Sequence, residues 1–343
     1  MMKRIIYLIL AVAALAAASS CNKQEMTVAP EESVAVFEVQ MPESILTKAD
    51  ISDGSKATEL LFGVYAKIAD SADGSLDGTE EYKFVTSGVG TRVDDLKFTA
   101  QVNLVKNVDY KVAFWAQAPV AAGETAPYAI DWNAATVTAD YTFDANAEER
   151  DAFYFCDEFT YVPLGEPYKV KLYRPMAQIN FGSVEEDFEA LKPFLEDMTY
   201  GLESTITVAG VHDVLDLLTG ATSSSGKDVA FVMAPAFCGK GTGTEITLDV
   251  KDEAGVKQSY AYAGMNYIFA PESKDRLLMD KLTASFEHSK GVITLEVLNV
   301  PYQRNHRTNI LGYLFTEMLV ADILVVPIYD GDNNLDQAGN TLY

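Results

Sequence analysis

Apolar and polar residues alternate along much of this chain, as they do in extended strands with one buried face. The clearest short example runs from Ser33 to Gln40, where Val34, Val36 and Glu38 lie on one side of an extended backbone and Ala35, Phe37 and Val39 lie on the other. Pro42 follows and ends the segment, because proline cannot donate to a strand ladder. The pattern predicts a strand with one well-buried face.

Similar segments recur at regular intervals and predict further strands. They are Leu60–Ile68, Leu96–Leu104, Val108–Ala116, Ala152–Phe159, Tyr168–Phe181, Thr205–Val208, Val229–Met233, Glu245–Val250, Tyr260–Phe269, Lys281–Glu287, Val292–Val297 and Met318–Ile328. Leu96–Leu104 and Val108–Ala116 keep a strict period of two on either side of Asn107, which predicts a hairpin.

Helix signals are few. Ser183 and Glu186 have capping-box spacing before a helically spaced apolar row, and Val211–Leu218 fits a short helix or a loop. Many short strands with little helix indicate an all-β protein built from β-sandwich domains. A domain boundary fits best at Pro163–Pro167, where two prolines and a glycine interrupt the pattern.

The N-terminus is predicted to be an export signal. A basic start at Met1–Arg4 precedes the apolar run Ile5–Ala18 and small residues that end at Cys21. This arrangement resembles a lipobox, in which Cys21 becomes the lipidated N-terminus; ordinary cleavage beside an incidental cysteine is the alternative. Asn22 follows where an aspartate would favour retention in the inner membrane, so the outer membrane is the expected destination.

The composition is that of a globular protein with a strongly acidic surface. The 343 residues include 50 Asp+Glu against 26 Lys+Arg, a formal net charge of −24. Such a charge repels phosphate backbones, so we expect no nucleic-acid partner. The 3 Cys and 3 His cannot form a disulfide framework or a zinc ribbon.

Candidate catalytic or metal-binding residues do not form a recognisable site. His212, His288 and His306 lack metal-ligand spacing and are expected at the surface or in turns. Cys156 and Cys238 form a disulfide or remain buried thiols, and the acidic tail Asp330–Asp336 is solvated or binds calcium. The sequence therefore predicts a protein that is not an enzyme and needs no cofactor or resident metal.

Four large or charged side chains also have a structural and a ligand-binding interpretation. Trp115 is expected in the core of a strand pair, although a glycan platform is the alternative. Arg174, Arg304 and Arg307 are expected to pair with carboxylates or to bridge domains, in preference to forming a ligand site.

Three segments in order along the chain resemble fimbrillin-like pilus proteins of Bacteroidales. The first is Thr47–Gly54, continued by Ala57–Leu60; the second is Leu172–Phe181; the third and most specific is Asn299–Gly312. The resemblance implies two transthyretin-like β-sandwich domains in tandem and a subunit, most simply a stalk subunit, of a type V pilus that supports adhesion.

The resemblance also implies a processing scheme. Residues 1–20 would be the signal peptide, 21–48 a lipidated tether with the first strand, 49–165 the N-terminal sandwich and 166–343 the C-terminal sandwich. A surface protease would cut between Lys48 and Ala49 and release the first strand. A C-terminal donor strand at about 318–328 of a neighbouring subunit would replace it, with its apolar residues Met318, Val320, Ile323, Val325 and Ile328.

Other roles are compatible with the same residues: an anchor or accessory protein, a tip subunit, and a monomeric surface lipoprotein. The family's cleavage residue is usually arginine, so Lys48 is compatible with an uncut, lipid-retaining anchor or accessory protein. A monomeric surface lipoprotein that binds glycan or protein would instead keep Met318–Ile328 within its own fold. The implied partners are neighbouring subunits in a homopolymer, anchor and tip proteins, and the outer membrane before processing.

Overall fold

Strands dominate the part of the chain that the structure describes. The computed structural model describes residues 32–42, 54–68, 81–142, 147–187, 189–190, 203–208, 211–225, 229–233, 247–251, 257–272, 277–288, 291–314 and 321–327. Within these ranges a 3-10 turn spans Glu148–Arg150, and residues 185–187 and 189–190 are helical. The predicted all-β class is confirmed, whereas the division into two tandem sandwiches stays a prediction.

Twenty-one strands are numbered in chain order within the described residues. They are β1 (Glu32–Gln40), β2 (Glu59–Ile68), β3 (Glu81–Val89), β4 (Thr91–Arg92), β5 (Lys97–Val105), β6 (Asp109–Gln117), β7 (Tyr128–Asp131), β8 (Thr136–Ala139), β9 (Phe153–Thr160), β10 (Tyr168–Lys171), β11 (Met176–Ser183), β12 (Glu203–Val208), β13 (Val214–Asp216), β14 (Thr222–Ser223), β15 (Val229–Met233), β16 (Thr247–Lys251), β17 (Lys257–Phe269), β18 (Leu277–His288), β19 (Gly291–Tyr302), β20 (His306–Gly312) and β21 (Ala321–Pro327).

These strands form five sheets in the described part of the chain. Their orders are β10-β1-β5-β4, β3-β2-β6-β9, β14-β13-β8-β7, β16-β17-β11-β20-β21 and β15-β12-β18-β19. The first strand therefore lies inside a sheet, with β10 on one side and β5 on the other. The last strand, β21, lies at the end of its sheet beside β20.

The first hydrophobic core lies between the β10-β1-β5-β4 and β3-β2-β6-β9 sheets. It combines alternate residues of both sheets, among them Phe37, Leu60, Phe98, Phe114 and Val170. Alternation places one row of each strand in this core, which is the arrangement that a β-sandwich requires.

A second core begins on the opposite face of the β3-β2-β6-β9 sheet. Tyr65, Trp115 and Tyr154 of that sheet pack with residues such as Met176 and Phe269 from the β16-β17-β11-β20-β21 sheet. Trp115 is fully buried, and its Nε1–H donates to Gln117 Oε1 at 2.9 Å. The expectation that Trp115 packs in the core is confirmed.

The predicted hairpin of Leu96–Leu104 and Val108–Ala116 is wrong. Both strands exist, as β5 and β6, but they belong to different sheets and face each other across the first core. Asn107, at φ 59, lies in the turn where the chain passes from one sheet to the other. Alternation gives each strand a buried face, but it does not say whether the next strand pairs beside it or packs opposite it.

The predicted strand Tyr168–Phe181 is two strands in two sheets. β10 ends at Lys171, β11 begins at Met176, and Pro175 stands in the irregular stretch between them. A proline has no N–H for a ladder, so the break falls there. The strands β3, β4, β7, β8, β13, β14 and β20 were not predicted, and β13 lies within the segment Val211–Leu218.

Candidate assembly site

The first strand is paired on both sides, although it comes first in the described chain. β1 runs parallel to β10, with Phe37 opposite Tyr168 and Val39 opposite Val170. At its end the Met41 N–H donates to a backbone carbonyl near β5, that of Leu96, at 2.7 Å. Removing β1 would therefore expose the edges of two strands.

One row of β1 is buried in the first core. Ala35, Phe37, Val39 and Met41 are 1%, 2%, 0% and 0% exposed, whereas Val34 on the other row is 55% exposed. The predicted strand with one well-buried face is confirmed, and the structure decides that the buried row is that of Ala35, Phe37 and Val39 and not that of Val34 and Val36. The row continues by one residue, Met41, because the alternation persists to the residue before Pro42.

Phe37 is the centre of an aromatic cluster. Its ring centroid lies 5.4 Å from that of Phe114, 5.7 Å from that of Phe159 and 5.4 Å from that of Tyr168. The first two contacts are edge-on and the third is stacked, which are favourable arrangements for ring quadrupoles. The space that Phe37 fills is therefore large and lined by rings from β6, β9 and β10.

Burial of this row is a large favourable contribution to folding, before the entropic cost of ordering the chain is subtracted. Each buried Phe, Val or Met contributes roughly 1.5–3 kcal/mol, so Phe37, Val39 and Met41 together contribute roughly 4.5–9 kcal/mol. A whole domain is stable by only about 5–15 kcal/mol. The slot that β1 occupies, defined by β5, β10 and the core residues beneath β1, therefore cannot remain empty at little cost.

Several predicted sites fall outside the described residues. These are the lipidation site Cys21, the cleavage residues Lys48 and Ala49, the donor residues Met318, Val320 and Ile328, and the acidic tail Asp330–Asp336. The structure resumes at Gly54, six residues after Lys48 in the sequence. In the described ranges no helix is long and apolar enough to cross a membrane.

The C-terminal strand pairs within its own chain. β21 runs antiparallel to β20, with Ile323 opposite Ile310 and Val325 opposite Thr308. β20 is also paired with β11, so β20 is interior and β21 has one neighbouring strand among the described residues. The predicted donor residues Ile323 and Val325 are therefore placed at a sheet edge, from which a strand can be released at the cost of one ladder.

Arg174 forms a buried ion pair. Its Nε donates to Asp151 Oδ1 at 2.8 Å and its Nη2 donates to Asp151 Oδ2 at 2.8 Å, and both side chains are 0% exposed. The guanidinium also lies over the ring of Phe153, 4.6 Å from its centroid. The expectation that Arg174 pairs with a carboxylate is confirmed, and sequence spacing offered no way to identify Asp151 as the partner.

Arg304 and Arg307 also have structural positions. Arg304 is buried; its Nε donates to the Ala270 carbonyl at 2.9 Å and its Nη2 to the Gly220 carbonyl at 2.7 Å. Glu272 lies 3.7 Å from its Nη1, and burial lowers the pKa of the guanidinium below its ordinary value. Arg307 stands in the interior strand β20, between β11 and β21.

The second and third segments of the resemblance meet as neighbouring strands. β11 and β20 pair in parallel, with Asn180 opposite Asn309. The Asn180 Nδ2 donates to Asn309 Oδ1 at 2.7 Å, and both residues are 1% exposed. These motif residues are therefore part of the core, and their role is to join two strands.

The structure places His212 and His306 beside other strands of the fold. His212 Nδ1 lies 2.7 Å from Thr222 Oγ1, and burial lowers the pKa of this imidazole. His306 is buried at 2% exposure, which corrects its expected surface position, because it starts the core strand β20. His288 ends β18. Among the described residues, no three His, Cys, Asp or Glu side chains are grouped so that they could hold a metal ion.

Cys156 is a buried free thiol of β9. Burial raises its pKa from 9.0 to about 12, so the group is a neutral thiol at neutral pH. It packs with Trp115 and Tyr154 in the second core and acts there as a small apolar side chain. Cys238, the other cysteine of the two predicted alternatives, lies outside the described residues.

Comparisons with known proteins place the chain in a family. The model of a family of unknown function, DUF6562, matches residues 64–342. No curated protein matches the sequence. A fimbrial assembly protein from Parabacteroides distasonis is similar in structure, with a TM-score of 0.43 and 11% identity over 88% of this chain and 98% of that chain. The tip fimbrial protein Mfa3 from Porphyromonas gingivalis, truncated at its C-terminus, has a TM-score of 0.42 and 11% identity over 87% of this chain and 100% of that chain.

These structural neighbours are fimbrial proteins of Bacteroidales, the group of proteins that the three sequence segments resemble. The match to the family model extends from β2 to the C-terminal tail and covers most of the sequence. The chain therefore belongs to DUF6562, a family of unknown function.

Proposed function

We propose that this chain is a structural subunit of a surface pilus that polymerises by donor-strand exchange after β1 is removed. The observation that carries the proposal is the position of β1. It is an interior strand with a fully buried row, yet it is the first described element and precedes the segment that contains Lys48. A single cut after Lys48 would separate it covalently from the rest of the fold.

Removal of β1 creates a binding site for another strand. The slot then has two open edges, β10 and β5, and an apolar floor that the four side chains of β1 had covered. A strand from another copy fills such a slot with ladder hydrogen bonds and alternate side chains. Because the slot and β21 are different parts of the subunit, the contact is heterologous, and such contacts extend into a filament when they do not close into a ring.

The remaining parts of the proposal follow from the N-terminal sequence. Cys21 is lipidated and anchors the precursor in the outer membrane, and cleavage between Lys48 and Ala49 releases the subunit into a fimbrium that supports adhesion. The partners are other copies of this chain together with anchor and tip proteins. The role is structural and not catalytic, and a stalk position accommodates both an acceptor slot and a donor strand.

A controlled cleavage tests this function. A chain that begins at Asn22 and carries a sequence-specific protease site after Lys48 should be monomeric before cleavage and form a ladder of polymers afterwards. The size distribution is measured by light scattering and by gels of unheated samples. The same chain ending at Glu317 should release β1 on cleavage but not polymerise. Monomers from the cut full-length chain, or polymers from the shortened one, would contradict the proposal.

An uncut, lipid-anchored basal or accessory protein, or a surface lipoprotein that binds glycan or protein, is the second candidate. The observation in its favour is that β21 pairs with β20 of the same chain, as expected of a protein that keeps its last strand. N-terminal sequencing of protein sheared from native cells distinguishes the two. We expect an N-terminus at Ala49 in high-molecular-weight material; lipidated Cys21 in monomeric material would favour the second candidate.

A further inference from the structure

The slot of β1 holds side chains of different size at successive positions. At the place of Ala35 the slot holds a methyl group that is 1% exposed, whereas the place of Phe37 is bounded by Phe114, Phe159 and Tyr168 and holds a large ring. Val39 and Met41 complete the row, and Pro42 ends it. An incoming strand is therefore selected by the order of its side-chain sizes, small then large, and not only by apolar character.

The sequence of β21 has one row that meets this order. Alternate residues of an extended strand point the same way, and Ala321, Ile323, Val325 and Pro327 share one row. The other row contains Asp322. Any slip by one residue would turn Asp322 toward the apolar floor, where an uncompensated carboxylate is strongly disfavoured.

Slips by two residues are disfavoured for different reasons. In one direction Ala321 would stand in the place of Phe37 and leave a cavity among three rings. In the other direction Pro327 would stand in the place of Val39, within the ladder, where its missing N–H breaks the pairing. At the place of Met41 the same proline loses only the terminal hydrogen bond to the Leu96 carbonyl.

We propose that, in the polymer, β21 of a second copy enters the slot in a single register. Its inward residues replace the buried row of β1 one for one: Ala321 for Ala35, Ile323 for Phe37, Val325 for Val39 and Pro327 for Met41. The donor then runs parallel to β10, with Ile323 beside Tyr168 and Val325 beside Val170. This inference rests on the proposed donor-strand function and names the segment and register that the slot selects.

The exchange also improves the pairing of the donor. In its own chain β21 has β20 as a neighbour and ends its sheet, whereas in the slot it lies between β10 and β5. One ladder is given up and two are formed, so backbone hydrogen bonding favours the intermolecular arrangement once β1 has left.

A pair of size substitutions tests the register in the full cleavable chain described above. Ile323→Phe should polymerise after cleavage as extensively as the unaltered chain, because the slot has held a phenylalanine at that place. Ala321→Phe should lower the polymer yield by about tenfold or more, because the place of Ala35 is overpacked. Equal yields from the two variants, or the reverse order, would overturn the register.

A pair of charge substitutions provides an independent test. Leu324→Glu puts a carboxylate where β1 carries Glu38, which is only half-buried, and polymerisation should be retained. Val325→Glu puts the same group in the place of Val39, which is 0% exposed, and should abolish polymerisation. Loss with Leu324→Glu and retention with Val325→Glu would show a register shifted by one residue.

Donor-strand exchange and the proposed register can be disproved separately. If the unaltered cut chain stays monomeric, donor-strand exchange itself is wrong. If it polymerises but the matched pairs do not differ as stated, the exchange stands and the register is wrong. Urea unfolding of each uncut variant shows whether that variant folds. A pair can be used when both of its variants fold, and either pair alone decides the register.

Discussion

The Phe37→Ala variant of the uncut chain is expected to lose about 3–5 kcal/mol of unfolding free energy, whereas its polymers are expected to be as stable as unaltered ones. The truncation removes a ring that contacts Phe114, Phe159 and Tyr168 and leaves a cavity in the first core. In the proposed polymer β1 has been discarded, so the substitution is no longer present in the assembled protein. Urea unfolding of the precursor and thermal dissociation of the polymer measure the two stabilities.

Phe114→Ala is the matched control. Phe114 lies on β6, is 1% exposed and packs against the same ring from the other sheet. Because β6 stays in the subunit, this substitution should destabilise both the precursor and the polymer. Polymers of Phe37→Ala that were as weak as those of Phe114→Ala would show that β1 remains in the assembled subunit, which contradicts strand removal.

The second large effect is expected at the buried ion pair. Asp151→Asn should lower the unfolding free energy by about 3–5 kcal/mol, because it leaves the charge of Arg174 buried without its opposite charge. The pair is bidentate and both side chains are 0% exposed, so solvent does not screen it. Chemical denaturation of the uncut chain measures the loss.

Two control variants separate this effect from a general cost of losing a salt bridge. Glu296→Gln breaks an ion pair of similar length with Lys281, but those side chains are 57% and 47% exposed, and the expected loss is at most about 1 kcal/mol. The double substitution Asp151→Leu with Arg174→Met should recover much of the stability, since an apolar pair needs no counter-charge. A loss below about 1 kcal/mol for Asp151→Asn would show that the pair is not desolvated as described.

The ion pair lies where the described chain resumes after the predicted cut. Gly54 has φ +74, and a Cβ at this residue would lie 2.5 Å from Phe153 Cζ and 3.2 Å from Arg174 Nη2. Only a glycine fits such a close approach without displacing the ring. Arg174, Asp151 and Phe153 thus support the backbone at Gly54, and in the proposed polymer they would hold the chain a few residues from its new N-terminus.

Much of the strand content could be predicted from local pattern. The segments Ser33–Gln40 and Leu60–Ile68 correspond to β1 and β2, because alternation reports which residues of a strand share a face. The hairpin of β5 and β6 and the single strand Tyr168–Phe181 were wrong. In both cases the residues were extended as expected, but their partners lay in another sheet.

The candidate site, too, was predicted only in part from the sequence. Sequence separated Ser33–Gln40 into two rows without deciding which row is buried, and it identified Arg174 as a residue that pairs with a carboxylate or bridges domains. Neither the aromatic cluster around Phe37 nor the partnership with Asp151 carries a local signal, because the contributing residues are far apart in sequence.

The sequence by itself determined that this chain is built from β-strands and that the first strand has two alternating rows of side chains. The period of two in side-chain direction is a property of the local backbone, and it requires no knowledge of neighbours. Only the tertiary structure decided that β1 lies inside its sheet and that β21 pairs with β20 at an edge. Strand order depends on contacts between residues distant in the sequence, and these form only when the whole core packs together.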